Sequence, residues 1–380
     1  LLKIKRSNLN KLKVYLDNAA TTPLAEEVIG EISSVMRSHF GNPSSIHQQG
    51  RDSRALVEMS RKKIATFIGA QSSEIVFTSG GTEADNLAIH AAIHDLKVQH
   101  IISSAIEHSA VYNTLRKSHV DVHWVKTNKY GEVDINHLRE LLEKLEGKVL
   151  VSLMHVNNEI GTMLPLSEVG LLCKEFGAFF HSDTVQSIGH IPINVKELNI
   201  DFITCSAHKI HGLKGAGFLY VNKRNKIGAQ IVGGGQERDI RGGTENVVGI
   251  VSMAKALSLC NISEEAKHAQ SLKDKLYHGL KAIYHDDLKV NGSLENSTPY
   301  VLNVCLPTRS NASMLLFNLD LEGVAVSGGS ACSSGSHKSS RVLTELAIDG
   351  SQPAVRFSFS RYNTAEEIDF VLEKIKQIYL

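Results

Sequence analysis

The sequence predicts an α/β fold, with a mostly parallel mixed sheet flanked by helices in a large domain and a smaller α/β domain beside it. Three observations carry this. Apolar runs such as "EIVFTSG" (74–80), "KVLVSLMHVNNEIG" (148–161) and "AFFHSDTVQ" (178–186) are continuous rather than alternating, as strands buried on both faces are. Helix-period stretches follow them in turn. The length, 380 residues, exceeds what one simple core takes.

The elements follow in order. "EIVFTSG" leads into the helical "GTEADNLAIHAAIHDL", "QHIISSAIEHSA" into "VYNTLRKSH", "HWVKTN" into "DINHLRELLEKL", and "KVLVSLMHVNNEIG" into "PLSEVGLLCKEFG". "GAGFLYVN" (215–222) reads as a further strand. After about residue 255 the pattern changes: a long amphipathic helix, "EEAKHAQSLKDKLYHGLKAI", precedes the strands "VLNVCLP" and "VRFSFSRYN". The closing helix "TAEEIDFVLEKIKQIYL" has Thr364 as its cap. We therefore expect a large domain over 15–255 and a small one over 256–380 joined by 1–14.

Composition narrows the function. Hydrophobic residues (42%) and charged residues (21%) are those of a globular protein. Lys+Arg (41) nearly cancels Asp+Glu (40), so neither nucleic acid nor an anionic membrane is the expected partner. No apolar run approaches the roughly 20 residues that span a bilayer. The start, "LLKIKRSNLNKLK", is basic but lacks an apolar continuation and a cleavage signature, and reads as an ordinary N-terminus. Cys173, Cys205, Cys260, Cys305 and Cys332 are scattered, odd in number and without a CxxC pair. That argues against a disulfide framework or a zinc site and for a reducing, cytoplasmic compartment.

Ligands of open α/β sheets bind at the carboxyl ends of strands, so the polar residues there carry the chemistry. In "TSGGTEADN" (78–86), Gly80 and Gly81 permit a tight turn. The helix starting near Thr82 offers free N–H groups and a positive dipole end to a phosphate. Read alone, the stretch favours a tight turn with a Thr cap over a phosphate seat. In "HSDTVQ" (181–186), Asp183 near a strand end needs a cationic partner, such as a protonated heterocycle nitrogen, or else caps a helix. Gln186 can donate to a nearby oxygen. In "CSAHKIHGLKGAG", Lys209 sits among small residues, where desolvation favours covalent bonding to a carbonyl, and Ser206 and His208 add phosphate donors. His108 of "EHSA" can stack on an aromatic ligand or shuttle a proton, and Asn157 and Asn158 lie at another strand end. Phosphate seat, ring acid, ring amide, stacking imidazole and carbonyl-binding lysine together describe a pyridoxal phosphate (PLP) site.

The motifs "YLDNAATT", "GNPSSIH", "FTSGGTEADN", "HVNNEIGT", "DTVQ", "SAHKIHGLKGAG", "RGGTEN" and "SGGSACSSGS" resemble the cysteine desulfurases of group I, among the class V aminotransferase-fold PLP enzymes. The likeness runs from "YLDNAATTPL" to "VRFSFSRYNT", nearly the whole chain. It implies the PLP-dependent transferase fold of type I, a homodimer and L-cysteine as substrate. It implies that Lys209 carries the cofactor and moves the α-proton, that Gly81, Thr82, Ser206 and His208 hold the phosphate, and that Thr244 reaches over from a second subunit. Asp183 is implied to pair with the ring nitrogen, Gln186 and Asn158 to address the ring oxygen and the substrate, His108 to stack on the ring, and Arg356 to clamp the substrate carboxylate, for which its planar fork is suited.

The last motif gives Cys332 a role. This thiol stands in "SGGSACSSGSHKSSR" (327–341) among Gly and Ser, unlike a core cysteine. The resemblance makes it the nucleophile that takes sulfur from cysteine, leaving alanine and a Cys332 persulfide for an acceptor or an iron-sulfur scaffold. Gly328, Gly329 and Gly335 suit a mobile carrier. At an ordinary pKa of about 8.5 only a few per cent of the thiol is ionised, so a nearby base, His108, or the positive site itself is expected to raise that fraction. The other four cysteines lie in or beside apolar stretches and read as core. No resident metal is expected, Cys332 ligating a cluster at most transiently. The housekeeping branch of the family carries residues beyond the final helix that help dock a scaffold, whereas this sequence ends at Tyr379-Leu380, so the acceptor stays open. Selenocysteine lyase is the nearest alternative within the class, and a non-catalytic sulfur-binding protein the alternative outside it.

Overall fold

The computed structural model describes residues 13–307, 314–328, 340–348 and 353–379. In chain order the strands are β1 (Val14–Tyr15), β2 (Ile75–Thr78), β3 (His100–Ser104), β4 (Asp121–Val125), β5 (Val149–Ser152), β6 (Phe179–Asp183), β7 (Phe202–Ser206), β8 (Gly217–Val221), β9 (Lys289–Asn291), β10 (Val301–Cys305), β11 (Val324–Ala325) and β12 (Ala354–Ser358). The α-helices are α1 (Glu26–Ser38), α2 (Gln48–Phe67), α3 (Gly81–His94), α4 (Ser109–Arg116), α5 (Ile135–Lys144), α6 (Leu166–Glu175), α7 (Val247–Ser258), α8 (Ile262–Tyr284), α9 (Leu315–Leu321), α10 (Arg341–Glu345) and α11 (Ala365–Tyr379).

Seven strands form the main sheet in the order β2-β8-β7-β6-β5-β3-β4. The five from β7 to β4 run parallel, while β8 is antiparallel to both β7 and β2. The reason lies in chain length. Only residues 207–216 join β7 to β8, too few for a parallel crossover. Both sheet faces are covered, which explains the unbroken apolar runs. On one side Val28 and Ile32 of α1, Val57 and Ile64 of α2 and Val251 of α7 share a core with Val151, Phe180 and Phe218. On the other, Ala84 and Leu87 of α3 pack on Leu219, and Ile89 joins Val111 and Leu115 of α4 around Ile101 and Leu150.

A second sheet has the order β12-β10-β9, all antiparallel. Its core joins Leu272, Leu276 and Leu280 of α8 to Leu302, Val304, Phe357, Ile368 and Val371. Val14 and Leu16 belong to this core, because β1 pairs with β11 in the register Val14↔Val324. Thr364 caps α11, its Oγ1 accepting the Glu367 N–H. Among the described residues no single helix is both long and apolar enough to cross a membrane.

Candidate active site

A cavity of about 230 Å³ opens at the carboxyl ends of the parallel strands and gathers Gly81, Thr82, His108, Asn158, Asp183, Gln186, Ser206, His208, Lys209 and Arg356. Six separate stretches of the chain thus meet at one place, where the topology puts ligands.

One end is built from hydroxyls and backbone. β2 stops at Thr78 and α3 starts at Gly81, with Gly80 between them at φ +153°, a conformation open to glycine. A Cβ on Gly81 would lie 2.6 Å from Val185 Cγ2, so the second glycine is required by contact rather than by φ. No side chain caps α3. Glu83, in its first turn, is taken by Arg241 at 2.7 Å and by the Ser79 N–H at 2.9 Å. Ser206 ends β7, and His208 follows in a 3-10 turn with Nδ1 3.2 Å from Thr21 Oγ1. Burial, then Lys209 and Lys214, push His208 down to about 4, leaving a neutral ring. This end carries donors with no carboxylate of its own to spare, as a phosphate seat requires.

The opposite wall is acidic. Asp183, the last residue of β6, is buried, and its Oδ1 accepts the Val185 N–H at 2.9 Å. Asp85 and Glu107 line the same wall. Both Asp85 oxygens and Glu107 Oε2 are buried without a hydrogen-bond partner in the protein. Burial pushes Glu107 up to about 8 against the bonds it accepts from Ser104 and the Met154 N–H. Orphaned buried carboxyl oxygens facing a cavity fit a cationic ring edge. His108 caps α4, Nδ1 accepting the Ala110 N–H at 3.2 Å, so in the neutral ring the proton sits on Nε2.

Lys209 stands between the two ends. Its Nζ donates to Ala19 O at 2.6 Å and Ala20 O at 2.8 Å, inside "YLDNAATT". Gln186 Nε2 also donates to Ala19 O, at 2.9 Å. The donor expected to face a ring oxygen is thus engaged with the backbone in this structure.

Arg356 comes from the second sheet, on β12, and is 1% exposed. It donates to Asn158 O at 2.8 Å and to Asp17 Oδ1 at 2.7 Å. Asn158 lines the cavity, while Asn157 is structural: buried, it donates to Ile106 O and accepts from the Glu159 and Ile160 N–H groups. Ser340 donates to Glu159, and Arg341 stacks 3.9 Å over the Tyr112 ring and donates to Glu107 O. Val342 and Leu346 pack on Ile106 and Ile160, fixing α10 beside the cavity.

Thr244 is the one candidate lying elsewhere among the described residues. It is exposed and lines a separate concavity with Gly215, Arg241 and Asn246. Cys332, with Gly329 and Gly335, lies outside the described residues. Cys173, Cys205 and Cys305 are buried as core residues, and Cys260 is half-buried. Burial pushes the thiols of Cys173 and Cys205 far up and that of Cys260 to about 11, which leaves them unreactive. Sequence reasoning missed Asp17, Asp85, Glu107, Glu159 and Arg341. Asp17 and Asp85 stand inside motifs singled out for other residues, and Glu107 and Glu159 are each one position from a candidate, so adjacency was the available signal.

Residues 14–371 match the aminotransferase class-V family, and the chain belongs to it. It is 42% identical over 377 residues to the cysteine desulfurase IscS of Dictyoglomus turgidum, covering 97% of this chain and 95% of that protein. Against the cysteine desulfurase IscS of Methanosarcina thermophila it is 42% identical over 374 residues, 96% of this chain and 91% of that protein. The X-ray structure of a NifS-like protein from Rickettsia africae matches with a TM-score of 0.88 at 35% identity, over 97% of this chain and 99% of that one. Within class V the chain falls among the PLP-dependent cysteine desulfurases.

Proposed function

We propose that this chain takes sulfur from L-cysteine, releases L-alanine and holds the sulfur as a persulfide on Cys332 before an acceptor collects it. The observation that carries the reading is the meeting of Lys209, Asp183, Ser206 and Arg356 around one cavity. Residues 15–255 form its cofactor-binding unit, and 1–14 with 256–380 the unit carrying Cys332.

Bound PLP supplies an electron sink for charge released at the substrate α-carbon. The chain's residues do the rest. Thr82, Ser206, His208 and the N-terminus of α3 hold the phosphate, and Asp183 pairs with the ring nitrogen. Arg356, held by Asp17 and Asn158, grips the substrate carboxylate and so places the α-hydrogen near Lys209. Lys209 holds the cofactor and then moves the α-proton. The Cys332 thiolate attacks the substrate sulfur. An S–S bond forms, the Cβ–S bond breaks with its electrons left on carbon, and a proton completes alanine. His108, carrying Nε2–H, would donate a hydrogen bond to the Cys332 thiolate and so raise the ionised fraction.

The enzyme works as a homodimer in this reading. Phe40 (79%), Ile46 (91%) and Val232 (87%) are large apolar side chains left in solvent, which a second copy would cover, bringing Thr244 to the partner's phosphate. The acceptor is a sulfur-carrier or iron-sulfur scaffold protein, and the setting is cytoplasmic, consistent with the four cysteines among the described residues forming no disulfide. The test supplies L-cysteine and a thiol reductant to the PLP-loaded protein and counts sulfide and alanine. Equal yields of both are expected. Release from selenocysteine alone would move the assignment to a selenocysteine lyase.

A further inference from the structure

Two buried groups beside the cavity have no part in the reaction so far. Asp85, on α3, is 0% exposed, and its carboxyl comes within 4.8 Å of both Asp183 and His108. Behind it lies His181 of β6, also 0% exposed, with Nε2 3.5 Å from Asp85 Oδ1 and Nδ1 2.8 Å from Ser152 Oγ. With the Ser152 hydroxyl donating to Nδ1, the ring proton sits on Nε2, facing Asp85. Thr204 Oγ1 lies 3.5 Å from Asp183 Oδ1 and faces Asp85 as well.

The charges around Asp85 decide its state. From β6 it meets His181 and Asp183, from β7 Thr204, and from the segment between β3 and α4 Glu107 and His108. Burial pushes His181 down to about 4, so it brings a donor but no charge. Glu107, pushed up to about 8, is protonated at neutral pH. Both carboxyls line the cavity, but Asp183 accepts the Val185 N–H, whereas Asp85 accepts no backbone N–H. Two buried carboxyls within 4.8 Å of each other resist ionising together, and His108 offsets this only in part. Burial first, and Asp183 second, push Asp85 well above the carboxylate range.

We propose that Asp85 is a positioning residue for Asp183: a neutral carboxylic acid, oriented by His181, whose O–H faces the Asp183 carboxylate directly or through Thr204, so that the pair presents one negative charge to the ring nitrogen. This rests on the reading of Asp183 as that nitrogen's partner. The donated hydrogen bond keeps the Asp183 carboxylate turned toward the ring nitrogen.

The test is the pH titration of the bound cofactor's visible absorbance in the holoenzyme, with thermal unfolding as the control for folding. An amide mimics a neutral acid, donating to Asp183 and accepting from His181. Asp85→Asn is therefore expected to keep the wild-type midpoint. Asp85→Leu removes both proposed contacts and is expected to move it by about one pH unit, and Asp183→Asn at least as far. A midpoint in Asp85→Asn that moves away from wild type would mean that Asp85 is ionised and overturns the proposal, even if the leucine variant fails to fold. So would an Asp85→Leu protein titrating like wild type. If Asp85→Leu is silent while Asp183→Asn shifts, only the Asp85 role fails; if Asp183→Asn is also silent, the ring-nitrogen reading fails with it.

Discussion

Arg356 donates to the carboxylate of Asp17 at 2.7 Å across 339 residues of sequence, tying "YLDNAATT" near the start of the chain to β12 near its end. The pair is unequal: Arg356 is nearly sealed, while the Asp17 side chain keeps 19% of its surface. Arg356→Lys keeps a charge but loses the planar fork. We expect the KM for cysteine to rise on the order of tenfold to a hundredfold, the scale of one or two charge-assisted hydrogen bonds. Asp17→Asn should raise KM less, since Asn158 O still holds the guanidinium. Steady-state kinetics on cysteine separates the two.

Lys209 is expected to carry the cofactor. Lys209→Ala should lose the visible absorbance of covalently held PLP and turn over cysteine at no measurable rate. An absorbance spectrum after dialysis reads this directly, and a coloured, active variant would exclude the assignment.

Buried histidines set the acid limit of stability. His155, His181, His208 and His211 are each pushed from an ordinary 6.5 to about 4, chiefly by burial. Because their folded values are depressed, the unfolded chain binds more protons between these limits. Their contribution is fully present above about pH 6.5 and is lost as pH falls toward 4. Each group adds a slope of about 1.4 kcal/mol per pH unit within that window. The Tm should fall steeply from pH 6.5 to pH 5, and His155→Asn should flatten the fall.

Glu107 acts with the opposite sign. Its folded value of about 8 lies above the ordinary 4.5, so the folded chain holds the extra proton. Stability from this group is full below about pH 4.5 and declines as pH rises toward 8. Glu107→Gln keeps an acceptor for Ser104 and the Met154 N–H but cannot ionise. It should raise the Tm relative to wild type more at pH 8 than at pH 6. An equal effect at both values would mean that Glu107 is ionised throughout.

Much of this site was legible because its signals are local. Gly80, Asp183 and Ser206 lie at strand ends that apolar runs reveal, and Lys209 follows one of them by three residues. β8 was legible as a strand, and its direction follows from the short link that precedes it. What stayed hidden depends on which way neighbouring side chains face. Asn157 and Asn158 are adjacent and chemically identical, yet one braces a turn and the other lines the cavity. Asp85 lies three residues beyond Thr82, and only the packing of α3 on the sheet shows that both reach the cavity wall. The Asp17–Arg356 pair has no local signal, since it forms only when β12 is laid beside the segment after β1. Thr244 lies away from the cavity, so its proposed role cannot be read from one copy of the chain.

The central claim is that Cys332 takes up the sulfur. Brief exposure of the PLP-loaded protein to one equivalent of L-cysteine, followed by mass spectrometry of its peptides, tests it most directly. The expected result is one added sulfur atom on the peptide containing Cys332, appearing as alanine appears and absent from Cys332→Ala. Alanine formed at the wild-type rate by that variant, or added sulfur confined to another cysteine, would contradict the account.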